Sequence, residues 1–163
     1  MCSDALHARR GGSTVSAGVL PPGMPPAVIV HGAAELEALL AAASGHRFTM
    51  LSMPGAAGSL GPRAWLALAA RAGDLPALLC CGAAPGHALA ALRAGCRELV
   101  LEGGTSAFPA VASAAREVSA LLLPVRPLAL DPRPLDLRRP GGRARLLAWL
   151  CTPSPDDRAF TLG

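Results

Sequence analysis

Short apolar runs alternate with amphipathic segments between Ala27 and Leu123. Each run is three to five residues long and ends near Gly, Pro or a polar residue. Such short runs predict five buried strands. They cover residues 27–31, 48–52, 77–81, 98–101 and 121–123. Between them, apolar residues three and four apart predict helices over 35–44, 62–73, 85–94 and 106–119. Pro62 suits the first turn of its helix, and Ser106 is the predicted N-cap of the last one.

Strands that alternate with helices indicate right-handed βαβ units and therefore a parallel sheet. We expect an α/β domain over residues 27–124, with a small open parallel sheet of four to five strands. Helices on both faces would make it flavodoxin-like or Rossmann-like. So few strands do not complete an eight-stranded barrel. Residues 1–26 are small, polar and then Pro-rich, which predicts a disordered leader.

The alternation stops after Pro124, where Pro residues recur too often for regular structure. We predict an irregular Pro/Arg-rich C-terminal extension over residues 125–163, with one short amphipathic helix over 143–150. Residues 126–145 hold six Arg and two Asp, so this segment carries the whole net charge of +4. A solvated tail explains that charge, and nucleic-acid binding is not favoured because aromatic stacking residues and known motifs are missing.

Composition excludes several chemistries. The chain has no Lys, Tyr, Asn or Gln, and all 15 basic residues are Arg, a bias we interpret as that of a GC-rich bacterial genome. Without Lys the chain cannot form a Schiff base or build a Walker A loop. No apolar run reaches about 18 residues, and the five Cys show no CxxC spacing. We therefore expect a cytoplasmic protein with no membrane span, cofactor or metal.

Function, if it depends on a site, should lie where the strands end, because open parallel sheets bind ligands outside their carboxyl ends. Candidate catalytic residues there are His31, Cys81 and Glu102. Candidate anion-binding residues lie in two loops that precede helices: Gly55, Gly58, Gly103, Gly104, Thr105 and Ser106. The alternative for the Cys is an inert buried thiol, and for the loops it is ordinary turns and helix caps.

One resemblance is carried by the loop Met53–Gly58 and by Ala90–Gly95 followed by the strand at 98–101. Residues 50–118 resemble the second half of a response-regulator receiver domain. This similarity implies a receiver-like α/β fold. It does not imply phosphotransfer, because Met50, Cys81 and Glu102 stand where the family has its Asp, its Thr or Ser, and its Lys.

Two functions remain open. The first is a non-catalytic α/β module, such as a degenerate receiver-like domain, that binds a protein partner through residues 125–150. The second is a small enzyme or ligand-binding protein that holds an anionic metabolite at the carboxyl ends of the strands. Enzymatic activity stays undecided, with the non-catalytic interpretation favoured because no matched catalytic set is present.

Overall fold

The computed structural model describes residues 18–152, which form one open sheet of six parallel strands with six helices. The strands are β1 (Ala27–Ile29), β2 (Thr49–Leu51), β3 (Ala77–Cys80), β4 (Glu98–Val100), β5 (Leu121–Leu123) and β6 (Ala129–Leu130). The helices are α1 (Ala33–Ala42), α2 (Ala56–Ser59), α3 (Pro62–Ala70), α4 (Pro85–Ala94), α5 (Phe108–Glu117) and α6 (Pro140–Leu150). The predicted α/β fold with an open parallel sheet is confirmed.

Three local features differ from the sequence-based expectation. The short helix α2 and the two-residue strand β6 were not predicted, so the sheet has six strands instead of four to five. Helix α5 begins at Phe108 behind the N-cap residue Ala107, and no side chain caps it. Ser106 therefore does not cap this helix, because the chain makes a further turn between Ser106 and the first helical residue.

The strand order is β5-β4-β3-β2-β1-β6, which differs from the flavodoxin-like order in which β1 lies between β2 and β3. From β1 to β5 each crossover moves one strand further in the same direction. Right-handed crossovers that all step in one direction leave their helices on one face of the sheet. The expected arrangement with helices on both faces is accordingly not the one found.

The two apolar clusters of the domain show that the helices lie on one face of the sheet. The larger cluster joins alternate strand residues such as Val28, Met50 and Leu79 to buried side chains from all six helices. The smaller cluster lies on the helix-free face and contains no helical residue. Its buried strand residues are Ala27, Leu51, Leu78, Cys80, Val100 and Leu123. Leu20 and Met24 pack against it, so residues 18–26 cover this face instead of forming a free leader.

The sheet curves strongly around the helix-free face. In a flat sheet the two edge strands β5 and β6 would lie about 24 Å apart, five spacings of about 4.8 Å. The six residue steps from Leu123 to Ala129 reach only about 21 Å when fully extended. Both edges must therefore bend towards each other, and residues 124–128 run from the carboxyl end of β5 to Ala129, which pairs with the first residue of β1. Gly18 pairs with Pro127 in an isolated parallel bridge that fixes this link.

The segment after β5 belongs to the same core. Strand β6 pairs with β1, and Leu146 and Leu150 of α6 are buried in the larger cluster. The indole N–H of Trp149 donates a hydrogen bond to the carbonyl oxygen of Ala27 (2.9 Å). Within the described residues, no helix is both long and apolar enough to cross a membrane. Residues 1–17 and 153–163, parts of the predicted leader and extension, lie outside the described residues.

Candidate functional site at the carboxyl end of the sheet

The hydrogen-bond ladder between β2 and β3 changes partners at its carboxyl end. The N–H of Ser52 donates to the carbonyl oxygen of Leu78 (3.0 Å), as in a regular parallel ladder. The next ladder bond would run from the N–H of Cys80 to the carbonyl oxygen of Ser52. Instead, the N–H of Cys80 donates to the hydroxyl Oγ of Ser52 (2.8 Å). The carbonyl oxygen of Ser52 is thereby released from the sheet.

Arg126 binds this released carbonyl. Its Nη2 donates to the carbonyl oxygen of Ser52 at 2.6 Å, across 74 positions of the chain. Strands β2 and β3 lie in the middle of the sheet, so the guanidinium of Arg126 lies at the centre of the carboxyl end. The residue belongs to the link between β5 and β6, and it reaches this place because the curved sheet brings that link over the strand ends.

The guanidinium of Arg126 is incompletely satisfied. Its Nη1 atom is fully buried and has no hydrogen-bond partner among residues 18–152. Among residues 18–152, no carboxylate forms an ion pair with Arg126. A buried N–H group without an acceptor costs about 1–3 kcal/mol, and more when the group is charged. The carboxyl end therefore contains a positive charge and a buried donor that lacks an acceptor among residues 18–152.

His31, a predicted catalytic candidate, lies at the same end of the sheet in a chain of charged groups. The carboxylate of Glu35 accepts hydrogen bonds from both the backbone N–H (2.7 Å) and the ring Nδ1 (2.8 Å) of His31. The other ring nitrogen, Nε2, is 3.9 Å from Oδ1 of Asp131, beyond hydrogen-bond distance. The guanidinium of Arg133 donates hydrogen bonds to both carboxylate oxygens of Asp131. Glu35 in the first turn of α1 thus fixes the orientation of the imidazole.

The charges around Asp131 shift its protonation. The hydrogen bond from Arg133, reinforced by the charges of Arg133 and His31, lowers the pKa of Asp131 below its usual value. The same ion pair raises the pKa of Arg133. A cavity of about 260 Å³ opens beside this pair, between α1 and residues 132–138. Nowhere in residues 18–152 do three or more His, Cys, Asp or Glu side chains come together as metal ligands would.

Cys81 does not have the environment of a nucleophile. It is buried in the larger apolar cluster, and its thiol makes only a weak 3.8 Å contact to the carbonyl oxygen of Leu79. Burial, with smaller contributions from Cys80 and Cys96, raises the pKa of Cys81 to about 12. A thiol reacts as its thiolate, so this one is inert near neutral pH. No hydrogen bond joins it to His31 within the described residues.

Glu102 lies at the end of β4 and is exposed. Its backbone N–H donates to the carbonyl oxygen of Gly82 (2.9 Å), and its own carbonyl accepts the hydroxyl of Thr105 (3.1 Å). Within residues 18–152 its carboxylate forms no ion pair. The backbone of Glu102 therefore shapes the loop, and nothing directs its side chain at His31 or Arg126.

The two Gly-rich loops serve as turns. Gly55 has the left-handed conformation (φ 66°) that begins the four-residue helix α2. Gly58 lies against the ring of His87, where a Cβ atom would come within 2.5 Å of Cε1. Gly103 donates its N–H to the carbonyl oxygen of Pro124 (2.8 Å), and a Cβ there would meet the Pro124 ring at 2.9 Å.

The rest of that second loop is similar. The N–H of Thr105 donates to the carbonyl oxygen of Glu102 (3.2 Å), closing a turn. Gly104 is exposed with open space around it, and Ser106 is exposed as well. Three of the six backbone N–H groups proposed to bind an anion, those of Gly58, Gly103 and Thr105, are therefore engaged within the protein.

Arg126 and Ser52 were not among the predicted site residues. Arg126 is one of six arginines in its segment, and no local pattern separates it from the other five. Ser52 was placed correctly at the end of a strand, but its two hydrogen bonds depend on residues 28 and 74 positions away. The position of Ser52 is the only sequence signal that pointed towards this place.

Comparison with known proteins adds no assignment to this site. The chain matches no protein-family model, no curated protein and no solved structure.

Proposed function

We propose that the protein binds a small molecule with an oxyanion group, a phosphate or a carboxylate, at the carboxyl end of its curved sheet. The observation that carries this proposal is the buried, unpartnered Nη1 of Arg126 at the centre of that end. A charged hydrogen bond from a guanidinium to an oxyanion is about twice as strong as a neutral one. Such a ligand would supply the acceptor and the counter-charge that Arg126 does not find in residues 18–152.

The site's place in the fold supports the same function. Open parallel sheets commonly bind ligands outside the carboxyl ends of their strands. Here the link at 124–128 and the loop at Ser52 meet at that end. His31, held by Glu35, stands at the end of the neighbouring strand β1, with Nε2 free of a hydrogen bond to Asp131. An arginine and an oriented imidazole thus both lie at the carboxyl end of the sheet.

The apolar residues of the C-terminal segment do not favour the other function, protein binding through residues 125–150. Two leucines of α6, Leu146 and Leu150, are buried against the protein's own sheet. Trp149 uses its indole N–H on the carbonyl of Ala27. These side chains hold α6 to the domain, so a partner would have to bind the exposed remainder of the segment, which holds charged residues and the apolar Val125 and Leu128.

Thermal unfolding with and without anions tests the proposal. We expect inorganic phosphate, citrate or a phosphate ester at about one hundred times its Kd to stabilise the protein by about 2.7 kcal/mol. For a chain of this size that corresponds to a rise in Tm of roughly 5–11 °C. The variant Arg126→Met should lose this rise.

In anion-free buffer the same variant loses the hydrogen bond from Nη2 to the carbonyl of Ser52, so the rise in Tm is measured against each variant's own anion-free value. The matched control is Arg93→Met, which removes the same charge from an exposed position in the last turn of α4. That control should respond to anions as the wild type does. An equal rise in Tm for wild type and Arg126→Met would refute the proposal.

A further inference from the structure

The hydroxyl of Ser52 replaces a backbone acceptor inside the sheet. Ser52 is buried, with 1 % of its surface exposed. Its Oγ accepts the N–H of Cys80 at 2.8 Å, at the point where the regular ladder would use the carbonyl oxygen of Ser52 itself. The ladder loses no hydrogen bond by this exchange. The carbonyl oxygen of Ser52, however, is left without a donor from β3.

The released carbonyl then holds Arg126. A buried carbonyl needs a donor, and Nη2 of Arg126 supplies it at 2.6 Å. The link that carries Arg126 is itself fixed at both sides: the N–H of Gly18 donates to the carbonyl of Arg126 (3.0 Å), and the N–H of Gly103 donates to that of Pro124 (2.8 Å). With the backbone and Nη2 both held, the guanidinium has a defined orientation that leaves Nη1 without an acceptor in residues 18–152.

We infer that Ser52 is the positioning residue of the anion site, acting through Arg126 and not by touching the ligand. In Ser52→Ala the N–H of Cys80 would lose its hydroxyl acceptor and would take the carbonyl of residue 52, as in an ordinary ladder. That carbonyl could then no longer hold Nη2 in the same geometry, and the arginine would gain rotamer freedom that an anion must remove.

This inference rests on the proposed function, and its probe is inorganic phosphate. We expect Ser52→Ala to weaken phosphate binding by roughly tenfold to a hundredfold, the range that corresponds to losing one hydrogen bond to a charged group. Ser52→Thr keeps the hydroxyl and should retain most of the affinity. Isothermal titration calorimetry on the full chain measures both, with Arg126→Met as the reference for complete loss.

A measurement without any ligand tests whether the hydroxyl of Ser52 replaces its carbonyl as the acceptor for the N–H of Cys80. Trans-hydrogen-bond scalar coupling between the amide nitrogen of Cys80 and the carbonyl carbon of residue 52 should be absent in wild type and present in Ser52→Ala. Detecting that coupling in wild type would overturn the inference even if the Ala variant failed to fold.

The possible outcomes separate the two proposals. If Arg126→Met loses phosphate binding while Ser52→Ala keeps wild-type affinity, the positioning role of Ser52 is refuted and the anion site stands. If Arg126→Met binds phosphate as wild type does, the anion site is refuted and the role of Ser52 falls with it. Loss of affinity in Ser52→Ala with retention in Ser52→Thr supports both.

Discussion

Leu146 offers a direct test of whether α6 belongs to the folded core. Its side chain is fully buried, and it packs in the same cluster as strand residues of the sheet. Truncating a buried Leu to Ala costs about 2–5 kcal/mol, because transfer free energy is lost and a cavity remains. Taking about 3 kcal/mol for Leu146→Ala, and about 2–4 °C per kcal/mol for a chain of this size, Tm should fall by roughly 6–12 °C.

The control is Leu128→Ala, the same substitution at a residue that is 63 % exposed in the link before β6. It should change the free energy of unfolding by no more than about 0.5 kcal/mol. Urea unfolding followed by far-UV circular dichroism gives both values, and the slope against urea concentration shows whether unfolding stays two-state. Equal stability of the two variants would refute the conclusion that residues 125–150 form part of the domain. Equal stability would indicate instead that α6 is a loosely attached binding element.

Three further predictions test individual contacts. Gly142→Ala should destabilise the protein, because the added Cβ would overlap the backbone carbonyl of Asp136 in the preceding loop. Gly141→Ala is the control: its Cβ would point into open space, so the change should be neutral or slightly stabilising. Chemical denaturation of the two variants gives both free energies of unfolding. Iodoacetamide at pH 8 should modify the exposed Cys151 and spare Cys81, whose pKa of about 12 keeps it protonated, as peptide mass spectrometry will show. The lowered pKa of Asp131 means that its stabilising contribution is present above its unfolded-state pKa and is lost as pH falls through the folded-state value. Asp131→Asn should therefore lower Tm at pH 7 and have little effect near pH 2; an equal effect at both pH values would contradict this.

Most helices and strands could be predicted because the residues that begin and end them lie within the element or next to it. Helix α4 was predicted with its observed bounds, since Pro85 begins it and Gly95, at φ 104°, ends it in a conformation that favours Gly. The strands were predicted to within two residues at their carboxyl ends. The two missed elements have no such signal: β6 is the dipeptide Ala129–Leu130 between prolines, and only its pairing with β1 makes it a strand.

The site could be predicted only in part, because its contacts join distant residues. His31 was predicted as a site residue, but its hydrogen bond to Glu35, four residues further along the chain, was not. Cys81 was placed at the correct strand end, but whether its thiol faces the helices or the opposite face depends on packing. No local sequence pattern distinguishes Arg126, because its hydrogen-bond partner is a carbonyl 74 positions earlier.

The position of Arg126 follows from the strand order. A doubly wound sheet reverses direction between neighbouring strands, and the crevice at that reversal receives ligands. From β1 to β5 this sheet does not reverse, and its helices all lie on one face. The reversal comes instead between β5 and β6, which are the two edges, and the chain makes it in five residues. This link leaves β5 at the carboxyl end of the sheet, and Arg126 in its middle reaches the carbonyl of Ser52 at the end of the central strand β2. The same topology that removes the usual crevice thus brings an arginine to the place where a ligand would bind.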